Sequence, residues 1–555
     1  MYYAFSVQQA RLVQCRDCGH MMLHPPPAGA ERDRFRDDQL HENNRGRQEF
    51  SRLKEGTARL YLDLVRRCRG GHGGRLLEIG SGTGELLSVA AELGYEATGV
   101  EISEEACIRA RQRHGDGIRI VRGGIDSLPE KNYYDVCIVA DAIEHVIDPR
   151  FFLDRVYDLL TPAGVVIVAT PSLESWSARV MRNRWLEFKL QHLHYFTLET
   201  LHSLLFRAGL QPIGAVPGRK CLSVDYVAGR FRTDRVPVLS SALDCMSQLL
   251  PASIRRTPFQ AVAGGIVSVA VKTTKTLRRT LSIIIPAYNE AATIGPVLQS
   301  VVEKRLEGLD TEVIIVESNS TDGTREIVTK YQGRPGVKVI LEDRPRGKGH
   351  AVRTGLAYAT GDYILIQDAD QEYDIEDYDV LIEPLLTGSR AFVLGSRHGG
   401  RTWKVRQFKG KPFTGTFLNF GHWVFKTAVN LTLGLDLDDP FTMYKVFRRD
   451  CIAGLCFESN RFDFDYELLF KIVRKGYRPI EIPVNYRSRS FSEGKKVSII
   501  RDPWTWVRAI IKFGFARLDP IAGWRASAEP VSRSEIRVML ETDAVLADSG
   551  PVAPH

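Results

Sequence analysis

No apolar run in this sequence reaches the ~18 residues that a membrane-crossing helix needs. The longest candidate, 262–271, is broken by Gly264 and Gly265 and is expected to be a buried strand. A basic-then-apolar leader is likewise missing at the N-terminus. Cysteine is scarce and unpatterned. Nine residues, an odd number at irregular spacings, argue against a disulfide framework and for a reducing cytoplasm. Charge of one sign is lacking too. The 75 Lys and Arg against 67 Asp and Glu leave a formal +8, which allows contact with phosphates or anionic lipid but gives no reason to expect nucleic acid. These absences predict a cytoplasmic protein, with any membrane contact peripheral and at the inner face. What is present is ordinary globular composition, 44% hydrophobic and 26% charged, in 555 residues. That is too long for one core, so two or three domains are expected.

Residues 1–74 are polar, with Cys15 and Cys18 and a proline run at 25–27. From 75 to 272, short apolar runs (75–79, 97–101, 118–121, 135–139 and 165–169) alternate with helical patterns. That alternation marks a parallel, doubly wound sheet. The runs 209–216 and 266–272 are expected to close it as an antiparallel pair, and the basic stretch 273–280 reads as a linker. A second α/β series spans 281–524, with strands expected at 281–286, 312–317, 338–342, 363–368 and 391–395. Residues 525–555, rich in Ala, Ser, Pro and Asp, are expected to be a mobile tail.

Glu78-Ile79-Gly80-Ser81-Gly82-Thr83-Gly84 follows a strand and opens a helix. Glycines there let the backbone turn sharply and approach a ligand. Glu85 follows the third glycine, so the dinucleotide pattern G-x-G-x-x-G is not met. Glu101 ends the next strand, where a carboxylate can accept from ribose hydroxyls; a plain surface carboxylate is the alternative. Gly124-Ile125-Asp126-Ser127-Leu128-Pro129 and Asp141-Ala142-Ile143-Glu144-His145-Val146 complete the set.

Over roughly 12–272 these motifs resemble a class I S-adenosylmethionine-dependent methyltransferase. The resemblance implies Glu78, Gly80, Gly82 and Gly84 at the methionine end of the cofactor, Glu101 on its ribose, Ile125 and Asp126 near its adenine, and Asp141 beside it. Methyl transfer is an in-line displacement that needs proximity first; a base is needed only for an acceptor that must lose a proton. His145 is one candidate, and His192 and His194 of Gln-His-Leu-His-Tyr-Phe are others. A cap or core role competes for each. Cys15-x-x-Cys18-Gly19-His20 resembles half of a zinc ribbon. Zinc takes four ligands and one pair is present, with His20 and His24 poorly spaced, so no zinc is expected there.

In the second series, Ile285-Pro286-Ala287-Tyr288-Asn289-Glu290, the acidic turn at Glu317, and Asp368-Ala369-Asp370 all fall at strand C-termini, where open α/β sheets bind ligands. Two carboxylates around one small residue can share Mg2+ or Mn2+ that also binds a diphosphate. With Arg346-Gly-Lys348-Gly349, Arg353, Gly395-Ser-Arg397, Phe464-Asp465-Tyr466-Glu467 and the basic stretch 487–496, the whole of 281–500 resembles the family-2 glycosyltransferases, nearest the polyprenyl-phosphate (dolichyl-phosphate) mannosyl- or glucosyltransferase branch. The fold class implied is α/β, two Rossmann-like domains, a methyltransferase fold followed by a GT-A nucleotide-sugar fold.

That resemblance implies Pro286, Tyr288 and Glu290 on base and ribose, Glu317 near the base, Lys348 on the nucleotide-sugar, and Asp368 and Asp370 on the metal with Gln371 or Glu372 beside them. Arg397 is expected to face the acceptor phosphate. Where the family often has paired Asp, this chain has Glu317-Ser318, which leaves the nucleobase open. A lipid-phosphate acceptor is already anionic and needs cations rather than a base. Arg397, Arg401, Lys404, Arg406, Lys409 and Lys411 are available, followed by an apolar helix over 413–435 that suits a membrane surface. A solvated loop and a core helix is the competing reading. A sugar-hydroxyl acceptor would call on Asp439, Asp465 or Glu467 as base. The stretch 504–518 is expected to be an interfacial helix or a docking surface for the other domain.

Together these point to a bifunctional methyltransferase and inverting glycosyltransferase in glycolipid or polysaccharide synthesis. It would use S-adenosylmethionine, a nucleotide-sugar and a lipid-phosphate or glycan acceptor. The alternative is a glycosyltransferase with a non-catalytic, scaffolding first domain.

Overall fold

The computed structural model describes residues 2–7, 10–26, 47–233, 250–275, 278–397, 412–487 and 502–528. The chain opens with an antiparallel meander of β1 (Tyr2–Val7), β2 (Ala10–Gln14) and β3 (Met21–His24). Helix α1 (Arg47–Arg69) then leads into β4 (Gly74–Ile79), α2 (Glu85–Glu92), β5 (Tyr95–Glu101), β6 (Arg119–Arg122), β7 (Tyr134–Ala140) and β8 (Leu160–Pro171). The short β9 (His194–Tyr195), α3 (Leu198–Arg207), β10 (Leu210–Leu222) and β11 (Phe259–Lys272) complete the first half.

Seven strands form one sheet in the order β10-β11-β8-β7-β4-β5-β6. From β8 to β6 the pairings are parallel, and β11 enters antiparallel between β8 and β10. The closing antiparallel pair is therefore as the pattern predicted. β9 pairs with β3 and ties the meander to this half. One apolar cluster fills each face of the sheet. The amphipathic α1 supplies Ala58, Tyr61, Leu62 and Val65 to one of them. The first unit thus begins upstream of the expected boundary at 75, because α1 covers a face that would otherwise be wet.

The second half holds β12 (Arg279–Ala287), β13 (Leu309–Glu317), β14 (Val337–Leu341), α4 (Lys348–Tyr358), β15 (Tyr363–Ile366), β16 (Phe392–Ser396), α5 (Pro412–Leu433), β17 (Lys445–Arg448), α6 (Phe464–Arg474), β18 (Ile480–Pro483), α7 (Asp502–Phe515) and α8 (Pro520–Ala528). Its sheet order is β14-β13-β12-β15-β17-β16-β18. β12, β13 and β15 are parallel and buried on both faces, which explains their continuous apolar sequence. The short β17 and β18 were not expected.

The halves interlock. Phe206 of α3 lies in the second half's core, with Arg279 and Arg448 over its ring at 4.7 and 4.9 Å. In the reverse direction Ile521 and Trp524 of α8 pack into the first half's cluster, and Arg67 pairs with Asp519 at 2.5 Å. The expected tail from 525 thus begins inside a packed helix; 529–555 lie outside the described residues. Among the described residues no helix is long and apolar enough to cross a membrane.

Candidate active sites

In the first half, Gly80, Gly82 and Gly84 take φ of 77°, 53° and 81°, a left-handed crest that side-chain-bearing residues resist. The Gly82 N–H donates to Glu101 Oε2 at 2.9 Å and Ser103 N–H to Oε1 at 2.8 Å, so the crest aims the Glu101 carboxylate. A Cβ at Gly82 would meet only Lys54 Nζ, at 3.9 Å, which leaves space before the turn. A carboxylate aimed by the turn in this way is the acceptor a ribose diol requires. Glu78 is buried, and burial with Glu85 and Glu101 nearby outweighs Lys54 and holds its carboxyl well above the usual range. Ile125 is buried, whereas Asp126 is 66% exposed with Arg155 Nε at 3.5 Å. Asp141 takes φ of 50° and meets Lys220 Nζ at 2.6 Å.

The histidines separate. His194 faces His20 Nε2 through Nδ1 at 3.0 Å and Ile147 O through Nε2 at 3.2 Å, so it anchors the meander rather than facing a substrate. His145 and His192 meet edge to face at 4.8 Å, and Glu144 lies beside them. Burial, then Asp141, pushes Glu144 up to about 8, and burial, then His145, takes His192 down to about 3. Cys15 and Cys18 sit in the tight turn between β2 and β3, closed by Cys15 N–H to His20 O at 2.8 Å.

The second site lies at the C-terminal edge of β13, β12 and β15. The turn after β12 is laced to its neighbours: Asn289 N–H donates to Ser320 Oγ at 2.9 Å, Glu290 N–H to Thr324 Oγ1 at 2.8 Å, and Thr293 Oγ1–H to Ala369 O at 3.1 Å. Tyr288 is 38% exposed and Glu290 half-buried, while Pro286 is buried in β12, paired in register with Val316 of β13. Glu317 is also turned in. It accepts from Ser320 N–H at 2.7 Å and pairs with Arg325. Burial opposes its charge, yet these partners hold it below the usual range, so a direct contact with the base is not what its geometry offers.

Asp368, Asp370 and Asp465 converge with Lys348. Gly347 and Gly349 have Asn460 O and Phe464 Cβ where a Cβ would stand, at 2.4 and 2.6 Å, so only glycines let α4 start this close to α6. That closeness puts Lys348 on Asp368 and within electrostatic reach of Asp465 and Asp370. Asp465 Oδ1 is buried without a hydrogen-bond partner, 3.5 Å from Lys445 Nζ. Burial, with Asp368 close by, raises its carboxyl above the usual range. This set of hard oxygens fits a divalent cation. Lys445, wholly buried in β17, escaped the sequence reading; a lysine inside an apolar run was its one signal. Lys220 and Glu144 were likewise not singled out as functional.

Two expectations change. Arg397 is engaged by Asp439 through Nε and Nη2, both at 2.7 Å, so each neutralises the other and Asp439 is no available base. Glu467, also proposed as a base, accepts from the N–H groups of Glu458 and Ser459 at 3.0 and 2.8 Å and pairs with Lys471. It holds a loop in place. Gln371 lies exposed, and Glu372 accepts from Tyr486 OH at 2.7 Å. Arg353 grips Glu458 O and Asn460 Oδ1 at 3.0 and 2.8 Å. Arg401, Lys404, Arg406, Lys409, Lys411 and most of 487–496 lie outside the described residues.

α7 packs on its own domain, with Trp506 against Phe425 and Tyr466. Its other face leaves Trp504, Val507, Ile511 and Phe515 exposed at 77, 40, 60 and 78%.

Residues 282–454 match the family described as Glycosyl transferase family 2, and residues 48–214 one described as Methyltransferase domain. Over 219 residues the chain is 30% identical to a dolichol-phosphate mannosyltransferase of Pyrococcus furiosus, covering 39% of this chain and 58% of that relative, under two thirds of its length. Over 251 residues it is 29% identical to the dolichyl-phosphate beta-glucosyltransferase ALG5C of Trichomonas vaginalis, covering 41% and 70%. A solved 1,6-didemethyltoxoflavin-N1-methyltransferase of Burkholderia thailandensis aligns with 49% of this chain and all of its own (100%), at 17% identity and a TM-score of 0.31, too slight a likeness to bear on activity.

Proposed function

We propose that this chain, a transferase joining a methyltransferase domain to a family 2 glycosyltransferase domain, moves a sugar from a nucleotide-sugar to a polyprenyl-phosphate or glycan acceptor with inversion, and a methyl group from S-adenosylmethionine, in glycolipid or polysaccharide synthesis. The convergence of Asp368, Asp370 and Asp465 on Lys348 at one sheet edge carries the reading. A bound Mg2+ or Mn2+ would supply charge neutralisation on the departing diphosphate. Asp368 and Asp370 would hold it, Lys348 would steer the phosphates, and Tyr288 and Glu290 would border the nucleoside. An anionic acceptor would be received by cations, Lys445 beside Asp465 among them, and no general base is required. Dolichyl-phosphate enzymes among the relatives support that choice of acceptor. In the first half Glu101 would take the ribose of the methyl donor above the glycine crest. The exposed apolar face of α7 supports peripheral contact with a membrane, at its cytoplasmic face.

Calorimetric titration tests both halves. S-adenosylmethionine, then GDP- and UDP-sugars with manganese, are added to wild type, Gly82→Arg and Asp370→Ala. Each variant is expected to lose one ligand class and keep the other. Sugar-nucleotide binding and transfer unchanged in Asp370→Ala would overturn the second site. Failure of wild type to bind the methyl donor would leave the first domain a scaffold.

A further inference from the structure

We propose that Glu144, His145 and His192 form a binding site for one borderline divalent metal ion, such as zinc, iron or cobalt, in the methyltransferase domain and distinct from the Asp368–Asp370 site. One ligand atom from each side chain lies within 4.8 Å of the other two. Glu144 and His145 come from the turn after β7, and His192 from the segment before β9. Leu193 N–H to Glu144 O at 2.7 Å joins the two segments.

The surroundings are those of a built site. Glu144 is 1% and His192 4% exposed, yet Glu144 Oε1 and His192 Nδ1 have no hydrogen-bond partner. Leaving either buried atom unsatisfied is costly, and a shared cation satisfies both. The outer contacts orient the ligands. Thr170 donates its hydroxyl to Glu144 Oε2 at 2.9 Å, which leaves Oε1 for the metal. His145 Nδ1 faces the Gln191 carbonyl at 2.9 Å. A carbonyl only accepts, so Nδ1 carries the proton and the lone pair is on Nε2. Such second contacts fix the tautomer of metal-bound histidines. Two imidazoles and one carboxylate favour zinc or first-row transition ions over Mg2+ or Ca2+. Three protein ligands leave a coordination position open. The site stands beside the cofactor crest, since a Cβ at Gly80 would lie 3.5 Å from Ala142 Cβ on the same turn.

The test uses the full chain carrying Cys15→Ser, Cys18→Ser and Asp370→Ala, so that other ligand groups do not contribute. The protein is stripped with a chelator, dialysed, and titrated with cobalt and with zinc alone. Cobalt is expected to bind one per chain, with the ligand-field absorption of a nitrogen- and oxygen-ligated ion, and zinc to displace it. Glu144→Gln, nearly isosteric, and His192→Ala should each lose the absorption and weaken binding at least tenfold. Wild-type circular dichroism in Glu144→Gln keeps the result interpretable if His192→Ala does not fold. Absence of stoichiometric cobalt binding, or binding indifferent to Glu144→Gln, would overturn the site. Neither outcome depends on methyl transfer.

Discussion

Acid should loosen the seam between the two halves through one side chain, His202. It is wholly buried in α3. Its Nδ1 meets Tyr477 OH at 2.8 Å across the seam, and its Nε2 meets Ser268 Oγ at 2.8 Å. Tyr477 gives its own proton to Asp450 Oδ2 at 2.6 Å, and Asp450 is held ionised by Arg448 through contacts of 2.9 and 2.8 Å. Tyr477 oxygen must therefore accept from His202 Nδ1–H, and Nε2 must accept from Ser268. A second proton on the ring would remove that acceptor. Burial accordingly takes the imidazole down to about 3, against ~6.5 when unfolded. Between those values the unfolded chain binds a proton that the native chain refuses. The contribution is thus complete above ~6.5 and falls as pH drops, by ~1.4 kcal/mol per pH unit, or ~2 kcal/mol at pH 5. Urea unfolding at pH 7.5 and pH 5 of wild type and His202→Gln measures it. The variant is expected to be less stable at pH 7.5 by ~1–3 kcal/mol but to lose ~2 kcal/mol less on acidification, the other histidines cancelling. Equal losses in both proteins would refute the reasoning.

Three further outcomes are expected. Phe206→Ala, which empties a place in the second core from the first half, should cost ~3–5 kcal/mol in the same unfolding assay; a cost under 1 kcal/mol would mean that the seam is not packed as described. Glu467→Gln should lower stability by ~2 kcal/mol through its buried N–H and lysine partners while nucleotide-sugar binding persists; unchanged stability with lost turnover would restore it as a catalytic base. Ile511→Asp with Phe515→Asp should reduce cosedimentation with anionic phospholipid vesicles severalfold at unchanged melting temperature, and undiminished cosedimentation would show that α7 is not the contact.

Local pattern made both sheets legible, because β4, β5, β7 and β12, β13, β15 each bury a short apolar run and end in a turn of glycine or acid. The glycine crest and Asp368–Asp370 were legible for the same reason: their chemistry is adjacent in sequence. What escaped depends on partners far along the chain. Glu467 looks catalytic until the N–H groups of Glu458 and Ser459 are seen on it. Asp439 looks like a base until Arg397, forty-two positions away, closes on it. Glu144 carries no role of its own in the Asp141–Val146 motif until His192, forty-eight positions away, comes alongside. β17 and β18 escaped because Lys445, Arg448 and Glu481 stand inside them, so neither reads as an unbroken apolar run.

The insertion of β11 between β8 and β10 and the return of α8 have a consequence for synthesis. Emerging from the ribosome, the first sheet cannot close until residue 272 is out, since its edge strand β10 has no neighbour before then. Even so, the groove that receives Ile521 stays bare while about 250 more residues are made, which at ~5–20 residues per second takes tens of seconds. A nascent first domain therefore waits, with an oily groove open, for the end of its neighbour. A chain severed between β11 and β12 would never cover it, so the cell would make and lose the two halves as one.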